Sequence, residues 1–442
     1  MNSNQSTKPL MILGTSSGAG KSYITTAICR LLANKGFDPI PFKGQNMSNN
    51  AWVDKKGREM AYSQAVQSWA SGREPIAEMN PILLKPKGNE TSEVIHLGES
   101  MGTCRAIDYY DEYFESGWKV ICESIIKLKK IYPLGRLIIE GAGSPVEVNL
   151  QYKDLTNLKI AKHLNADCIL VADIERGGVF AQIIGTLALL KNDERSLIKG
   201  IVINRFRGNR SLFDTGKEWI EKNTGIKVLG VIPWINELFP AEDSLDLVDR
   251  GNKNKYADTK IVIMKLPSIS NFSDFDSLES EKTVNLKWVD RISELENPDA
   301  IIIPGSKQTF KDIEYLNKSL LANALKNFSK NGGHIFGICG GLQILGEKLI
   351  DPIGVENNQP KSMKGLGLLP IETIYESKKK LQQIKIKSFW PGKFDITGFE
   401  LHQGKSLPLL QYSEDFRPFS SDSSMGWVAK NKYSSTIAGS YL

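Results

Sequence analysis

Cysteine and histidine are scarce, with five and four in 442 residues. The cysteines (Cys29, Cys104, Cys122, Cys168 and Cys339) are odd in number, widely spread and never spaced as CxxC, which argues against a disulfide framework or a zinc site. At most one of them is expected to be chemically special. Like charges never run to five or six in succession, and 56 basic against 50 acidic residues leave a net charge of only +6. No electrostatic footprint for nucleic acid follows, although a polyanionic small-molecule site remains allowed. No window reaches about 18 consecutive apolar residues. The opening MNSNQSTKPLMILG lacks the cationic start and long apolar stretch of a leader. No membrane partner is expected, and the chain reads as cytoplasmic.

What is present is ordinary globular composition, 41% hydrophobic and 24% charged with 38 Gly and 19 Pro. At roughly 150 residues per domain, the length predicts two to three domains. From residue 10 to about 235, short β-branched runs alternate with helix-like segments: LMIL at 10–13, RLIIE at 136–140, CILVAD at 168–173, KGIVINR at 199–205 and VLGVIPW at 228–234. Such alternation predicts βαβ units on a mainly parallel sheet. Residues 236–260 are polar, contain Pro and Gly and lose apolar periodicity, so they are the expected linker between a domain at 1–235 and another at 261–442. A second α/β pattern follows in KIVIMKLP (260–267), AIIIPGS (300–306) and GGHIFGICGG (332–341), with sheet-like stretches such as QQIKIKSFW beyond.

The run Gly14-Thr15-Ser16-Ser17-Gly18-Ala19-Gly20-Lys21-Ser22 follows a predicted strand and opens a helix, ITTAICRLLANKG. In that context small residues let backbone N–H groups close around phosphate oxygens, and the helix N-terminus adds partial positive charge. Lys21 can neutralise the outer phosphates and the Ser22 hydroxyl can ligate Mg²⁺. A nucleoside triphosphate is therefore the expected ligand. The spacing departs from the usual phosphate loop, since Gly14 lies six residues before Gly20 and Thr15 stands where the pattern has glycine. Glu140, ending RLIIE ahead of Gly141-Ala142-Gly143, and Asp173, ending CILVAD, occupy strand ends where ligands gather in open parallel sheets. The plain alternative for each is a cap or turn residue.

The segments MILGTSSGAGKS, PFKGQNMSNNAWV (41–53), MNPILLKPKG (79–88), EGAGSPVEVNL (140–150), DIERGGVFAQ (173–182) and NRFRGNRSLF (204–213) together resemble the cobyric acid synthase family, glutamine-dependent amidotransferases of cobalamin biosynthesis. The phosphate loop and the EGAG strand end are shared with the wider dethiobiotin synthetase-like group. The resemblance implies that the γ-phosphoryl of ATP passes to a substrate carboxylate and that ammonia attacks the acyl phosphate. Lys21 and Ser22 would hold phosphate and Mg²⁺, with Thr15, Gly18, Ala19 and Gly20 forming the loop and Glu140 as a second metal ligand. Lys43 would face the reacting carboxylate, its rival reading being a solvated surface lysine. Asn204 would recognise adenine close to Pro233. Asp173 would lie near the corrinoid carboxylates, and Gln45 and Asn46 would line the substrate side. Lys21, Lys43 and Mg²⁺ would supply the clustered positive charge that phosphoryl transfer between anions requires.

Gly337-Ile338-Cys339-Gly340-Gly341-Leu342-Gln343 follows the apolar HIF and reads as a nucleophile elbow with sulfur in place of hydroxyl. The adjoining helix N-terminus is expected to lower the thiol pKa. Pro304-Gly305-Ser306 could donate an oxyanion-hole N–H beside that of Gly340. A buried structural cysteine is the plain alternative. These motifs resemble a class I glutaminase domain, in which Cys339 would attack the glutamine amide and Gln343 would help define the pocket.

Among the histidines, His96 and His163 fall in the synthetase half and His334 precedes the elbow. His402, in GFELHQG, matches a recurring motif of the family's glutaminase domain and is expected to support the site without acting as base. The resemblance places the base in a C-terminal G-[ST]-Y-L-H-G stretch, whereas these residues end at Gly439-Ser440-Tyr441-Leu442. A chain ending there is expected to use ammonium far better than glutamine and to lack part of the strand and helix that complete the domain.

The expected fold is thus α/β, a P-loop parallel-sheet synthetase domain followed by a class I glutamine amidotransferase-like domain. Expected partners are ATP, Mg²⁺, a corrinoid acid and glutamine or ammonia, with a homo-oligomer left open. The related a,c-diamide synthase is the near rival, disfavoured by PFKGQNMSNN. A partitioning-type ATPase switch is the rival of another class. It lacks the fused glutaminase module and carries an extra lysine early in the loop, where Gly14, Thr15 and Ser16 stand here.

Overall fold

β-Branched runs flanked by turn residues become the strands of the two largest of five sheets in the computed structural model, which describes residues 8–88, 90–149, 153–235, 254–356 and 359–442. Internal contacts divide the chain into Met1–Ser48, Glu59–Pro86 and Glu90–Glu242 as one unit, and Asn49–Arg58, Lys87–Asn89 and Asp243–Leu442 as the other. Of the linker expected at 236–260, residues 236–253 lie outside the described residues. Among the described residues, no helix is long and apolar enough to cross a membrane.

In the front unit, β1 (Leu10–Gly14) leads through the glycine-rich loop into α1 (Lys21–Asn34), followed by β2 (Pro39–Phe42), α2 (Tyr62–Ala70) and the long α3 (Ala106–Ile131). Strands β3 (Arg136–Glu140), β4 (Asp167–Asp173), β5 (Ile198–Phe206) and β6 (Val228–Pro233) complete a parallel sheet ordered β6-β5-β4-β1-β3-β2. Met11, Ile12 and Leu13 are fully buried, as are Ile138 and Val171 on the neighbouring strands. Each such side chain contributes roughly 1.5–3 kcal/mol by burial. Strands covered on both faces read as unbroken apolar runs, which is why they were legible. The order brings the C-terminal ends of β1, β3, β4 and β5 to one edge. There β4 and β5 lie in register with Asp173 opposite Asn204.

The rear unit repeats the plan with β7 (Thr259–Met264), β8 (Val284–Val289) and β9 (Ala300–Ile303), then α4 (Thr309–Lys318), β10 (His334–Ile338) and α5 (Gly340–Leu345). A hairpin of unusual length, β11 (Ile371–Lys387) against β12 (Asp395–Pro408), contains the QQIKIK stretch. The main sheet runs β8-β7-β9-β10-β15-β14-β13, with β13 Phe416–Pro418, β14 Gly426–Lys430 and β15 Thr436–Ser440. β15 pairs parallel to β10, so the last residues of the chain supply a central strand beside the elbow.

Candidate functional site

The front site is built on the β1–α1 loop. Gly20 adopts φ +92°, and a Cβ there would lie 2.1 Å from Asn204 Nδ2, so this position requires glycine twice over. Asn204, buried, donates from Nδ2 to the Ala19 carbonyl (2.9 Å) and thereby holds the loop. Thr15 donates to Gln182 Oε1 (3.0 Å). Lys21 Nζ arches back to the carbonyls of Ser16 (3.0 Å) and Gly143 (2.9 Å). Gly18, which stands at φ +72°, belongs to the same loop.

Glu140, at the end of β3 and with no exposed surface, is the focus of the site. Its Oε1 accepts from Ser22 Oγ (2.8 Å) and from Lys43 Nζ (2.8 Å). Lys43 is 2% exposed, which removes the reading of a solvated surface lysine. Burying an ion pair demands good geometry and further donors, and Gln67 of α2 provides one by donating from Nε2 to Glu140 Oε2. A carboxylate and a hydroxyl are hard oxygen donors, and Mg²⁺ is usually held by one or two protein oxygens together with phosphates and water. The Ser22 and Glu140 side chains fit that ion.

Asp173 and the QNM segment stand apart from this carboxylate. Asp173 accepts from Arg205 Nη1 (3.0 Å) and from the Glu175 backbone N–H (2.8 Å), while Arg205 itself sits at φ +61°. A non-glycine residue held there at a strand end is strained. Asn46 donates to Gln64 Oε1 (3.0 Å) and Ser63 Oγ (3.1 Å), and Gln45 accepts from Tyr109 OH (2.7 Å). Pro233 is exposed at the end of β6, where it pairs in register with Phe206.

The rear site centres on Cys339, whose φ of 51° and ψ of −107° place it on a strained turn between β10 and α5. Its backbone N–H bonds to Ser440 of β15 (2.8 Å) and its Sγ lies 3.5 Å from the Leu401 carbonyl. A Cβ on Gly340 would lie 2.7 Å from the Ser306 backbone nitrogen, so the elbow and the Gly305-Ser306 turn approach as only glycine permits. The other four thiols are all pushed up by burial, Cys29 and Cys168 to about 12 and Cys104 to about 11, with Cys122 moved the same way.

Gln343 is 3% exposed and fixed at both ends, accepting from Tyr375 OH (2.9 Å) and donating to Tyr441 OH (3.3 Å). His402 stacks on Tyr441 with ring centroids 3.7 Å apart, and its nitrogens face the Gly404 carbonyl (2.7 Å) and Glu400 Oε1 (3.2 Å). Asp312 of α4 has no exposed surface. It accepts from Ser306 Oγ (2.6 Å) and the Ser268 backbone N–H (3.1 Å). Burial outweighs those donors and pushes its carboxyl up to about 6. A carboxyl whose folded pKa is raised favours folding when protonated and loses that contribution as pH climbs through about 6. Asp312→Asn is therefore expected to gain stability over the parent between pH 4 and 7, by roughly 3 kcal/mol at most. Urea unfolding across that range checks it, and a pH-independent difference would refute the assignment.

Several of these residues escaped the sequence reading. In YSQAVQSWA the polar residues Ser63, Gln64, Gln67 and Ser68 recur on one helical face, a pattern ordinarily read as solvated, yet all four are buried. Tyr375 in ETIYESK and Asp312 in TFKDIEY stand beside charged neighbours and carry no local signal.

A model described as the CobQ/CobB/MinD/ParA nucleotide binding domain matches residues 10–248, and one described as the CobB/CobQ-like glutamine amidotransferase domain matches residues 260–442. Cobyric acid synthase of Prochlorococcus marinus strain NATL2A is 59% identical over 445 residues, covering 100% of this chain and 88% of the relative. The protein of the same name from Synechococcus sp. strain CC9605 is 55% identical, covering 99% and 87%. A solved glutamine amidotransferase aligns over 41% of this chain and 88% of its own at 13% identity and a TM-score of 0.31. By its two matched domains and its full-length relatives, the chain belongs to the cobyric acid synthase family.

Proposed function

We propose that this glutamine amidotransferase ligase uses ATP to amidate the b, d, e and g carboxylates of adenosylcobyrinic acid a,c-diamide, in the cytoplasm. The reading divides the labour between a synthetase domain (1–235) and a glutaminase domain (261–442) joined through 236–260. The observation that carries it is the convergence of Ser22 and Lys43 on Glu140 beside the glycine-rich loop.

In the first step a substrate carboxylate oxygen attacks the γ-phosphorus of ATP, the bond to the β-phosphate oxygen breaks, and ADP leaves. Lys21 and the loop amides hold the phosphates, and Lys43 draws the two anions together. Mg²⁺, held by Ser22 and Glu140, would neutralise phosphate charge. In the second step ammonia attacks the acyl carbon and phosphate departs with the C–O bond electrons. Asn204 and Pro233 are assigned to the adenine side, and Gln45, Asn46 and Asp173 to the corrinoid side. In the rear unit Cys339 attacks the glutamine side-chain amide, the C–N bond breaks to release ammonia, and water hydrolyses the resulting thioester to glutamate and the free thiol, with the Gly340 and Ser306 N–H groups as oxyanion donors and Gln343 and His402 supporting the pocket.

The test is direct. Incubation with ATP, Mg²⁺, an ammonium salt and a panel of corrinoid acids is expected to replace one OH by NH₂ per amide formed on the a,c-diamide, read by mass spectrometry. Amidation confined to another acid of the panel would sink the substrate assignment.

A further inference from the structure

We propose that Gln67 is a positioning residue, holding the Glu140 carboxylate in the single orientation that lets it serve Ser22, Lys43 and a metal ion. The inference rests on the reading of Glu140 as a metal ligand and extends it to α2, a helix no motif points to.

Three observations carry it. The Glu140 side chain is wholly buried, and the two donors from α1 and the β2 end both fall on Oε1. Oε2 would be left as a charged acceptor sealed from water, a costly state, were it not for Gln67 Nε2. The Gln67 amide accepts a penalty in return, since its Oε1 is buried without a hydrogen-bond partner among the described residues. Flipping the amide would turn that oxygen onto the carboxylate, acceptor against acceptor, so Glu140 dictates the orientation. Lastly, the helix is anchored on this side. Ser71 Oγ donates to the Gln67 carbonyl (2.8 Å), and one turn earlier Gln64 Oε1 accepts from Asn46. Two amides on one buried face of α2 thus brace both the carboxylate and the QNM segment.

Side chains that orient metal ligands typically alter metal affinity or activity by 10–100-fold when removed. In Gln67→Met, which keeps the length and removes the donor, the Mg²⁺ concentration that half-maximally tightens ADP binding is expected to rise by about 10–100-fold, with Mg²⁺-free ADP affinity within about twofold of the parent. Calorimetric titration of ADP at stepped magnesium chloride measures both. A residue that merely packs would leave the Mg²⁺ midpoint alone. Gln67→Glu, of the same volume with an acceptor in place of the donor, is expected to shift it at least as far and serves if the methionine variant does not fold. An unchanged midpoint in either folded variant overturns the proposal. Glu140→Gln separates the levels: if it too leaves the midpoint unchanged, the metal reading itself has failed, whereas a shift there with none in the Gln67 variants removes only the role of Gln67.

Discussion

Lys43→Ala is expected to lower ATP-dependent amidation by about 10²–10³-fold, the loss that follows removal of one preorganised electrostatic donor. It is also expected to destabilise the front unit. The Glu140 carboxylate it leaves behind has no exposed surface, and breaking a buried pair by deleting one partner costs about 3–5 kcal/mol. The two effects can be separated. Replacing both partners, as Lys43→Met with Glu140→Gln, removes the uncompensated charge, and such neutral substitutions of buried pairs are near neutral in stability. The double variant should therefore regain most of the lost denaturant resistance and none of the lost turnover. Glu140 is itself assigned to the metal, so the double variant reads stability alone, by urea unfolding. For the single Lys43→Ala variant, product formation per folded molecule at the parent rate would mean that Lys43 serves the fold alone, and the catalytic assignment would be withdrawn.

The strands that carry this site were legible because burial on both faces writes itself as unbroken apolar sequence. RLIIE and CILVAD needed only their turn residues to be recognised, and their carboxylates stand at the sheet edge where the alternating pattern puts them. Pro39–Phe42 was not among the runs read as strands. It is a strand despite its two prolines because it lies at the edge of the sheet, where a missing N–H is tolerated. Periodicity cannot tell a helix face turned to water from one turned to a polar site, since both are stripes of serine and glutamine. That is why α2 was not picked out, although Gln67 reaches Glu140 and Ser63 and Gln64 reach Asn46 from its polar face.

The same limit applies behind the elbow. Glycines around Cys339 announce a tight turn, because close backbone approach excludes a Cβ, but nothing local marks the side chains that hold Gln343. Tyr375 reaches it from β11 and Tyr441 from just past β15, and burial pushes both hydroxyls up, so they stay neutral, Tyr375 donating to Gln343 and Tyr441 accepting from it. Gln343 is also braced from within its own fold, so its polar ends shape the pocket wall by being fixed.

Cys339→Ala is expected to bring whatever glutamine hydrolysis the chain shows down to background, because a covalent route has no substitute once its nucleophile is gone. Amidation driven by ammonium salts should meanwhile proceed at the parent rate. The synthetase chemistry is assigned to Lys21, Ser22, Lys43 and Glu140, none of which the substitution touches. The fold should tolerate the change. Cys339 keeps its backbone bond to Ser440 in any variant, and alanine at φ 51° is no more strained there than cysteine. The two nitrogen sources thus turn one substitution into a two-channel measurement, with glutamate release and corrinoid product followed side by side. Loss in both channels would place Cys339 in the fold's support. Retention of glutamine hydrolysis would mean that some other group in the chain attacks the amide, and the elbow would have to be reread as a structural turn.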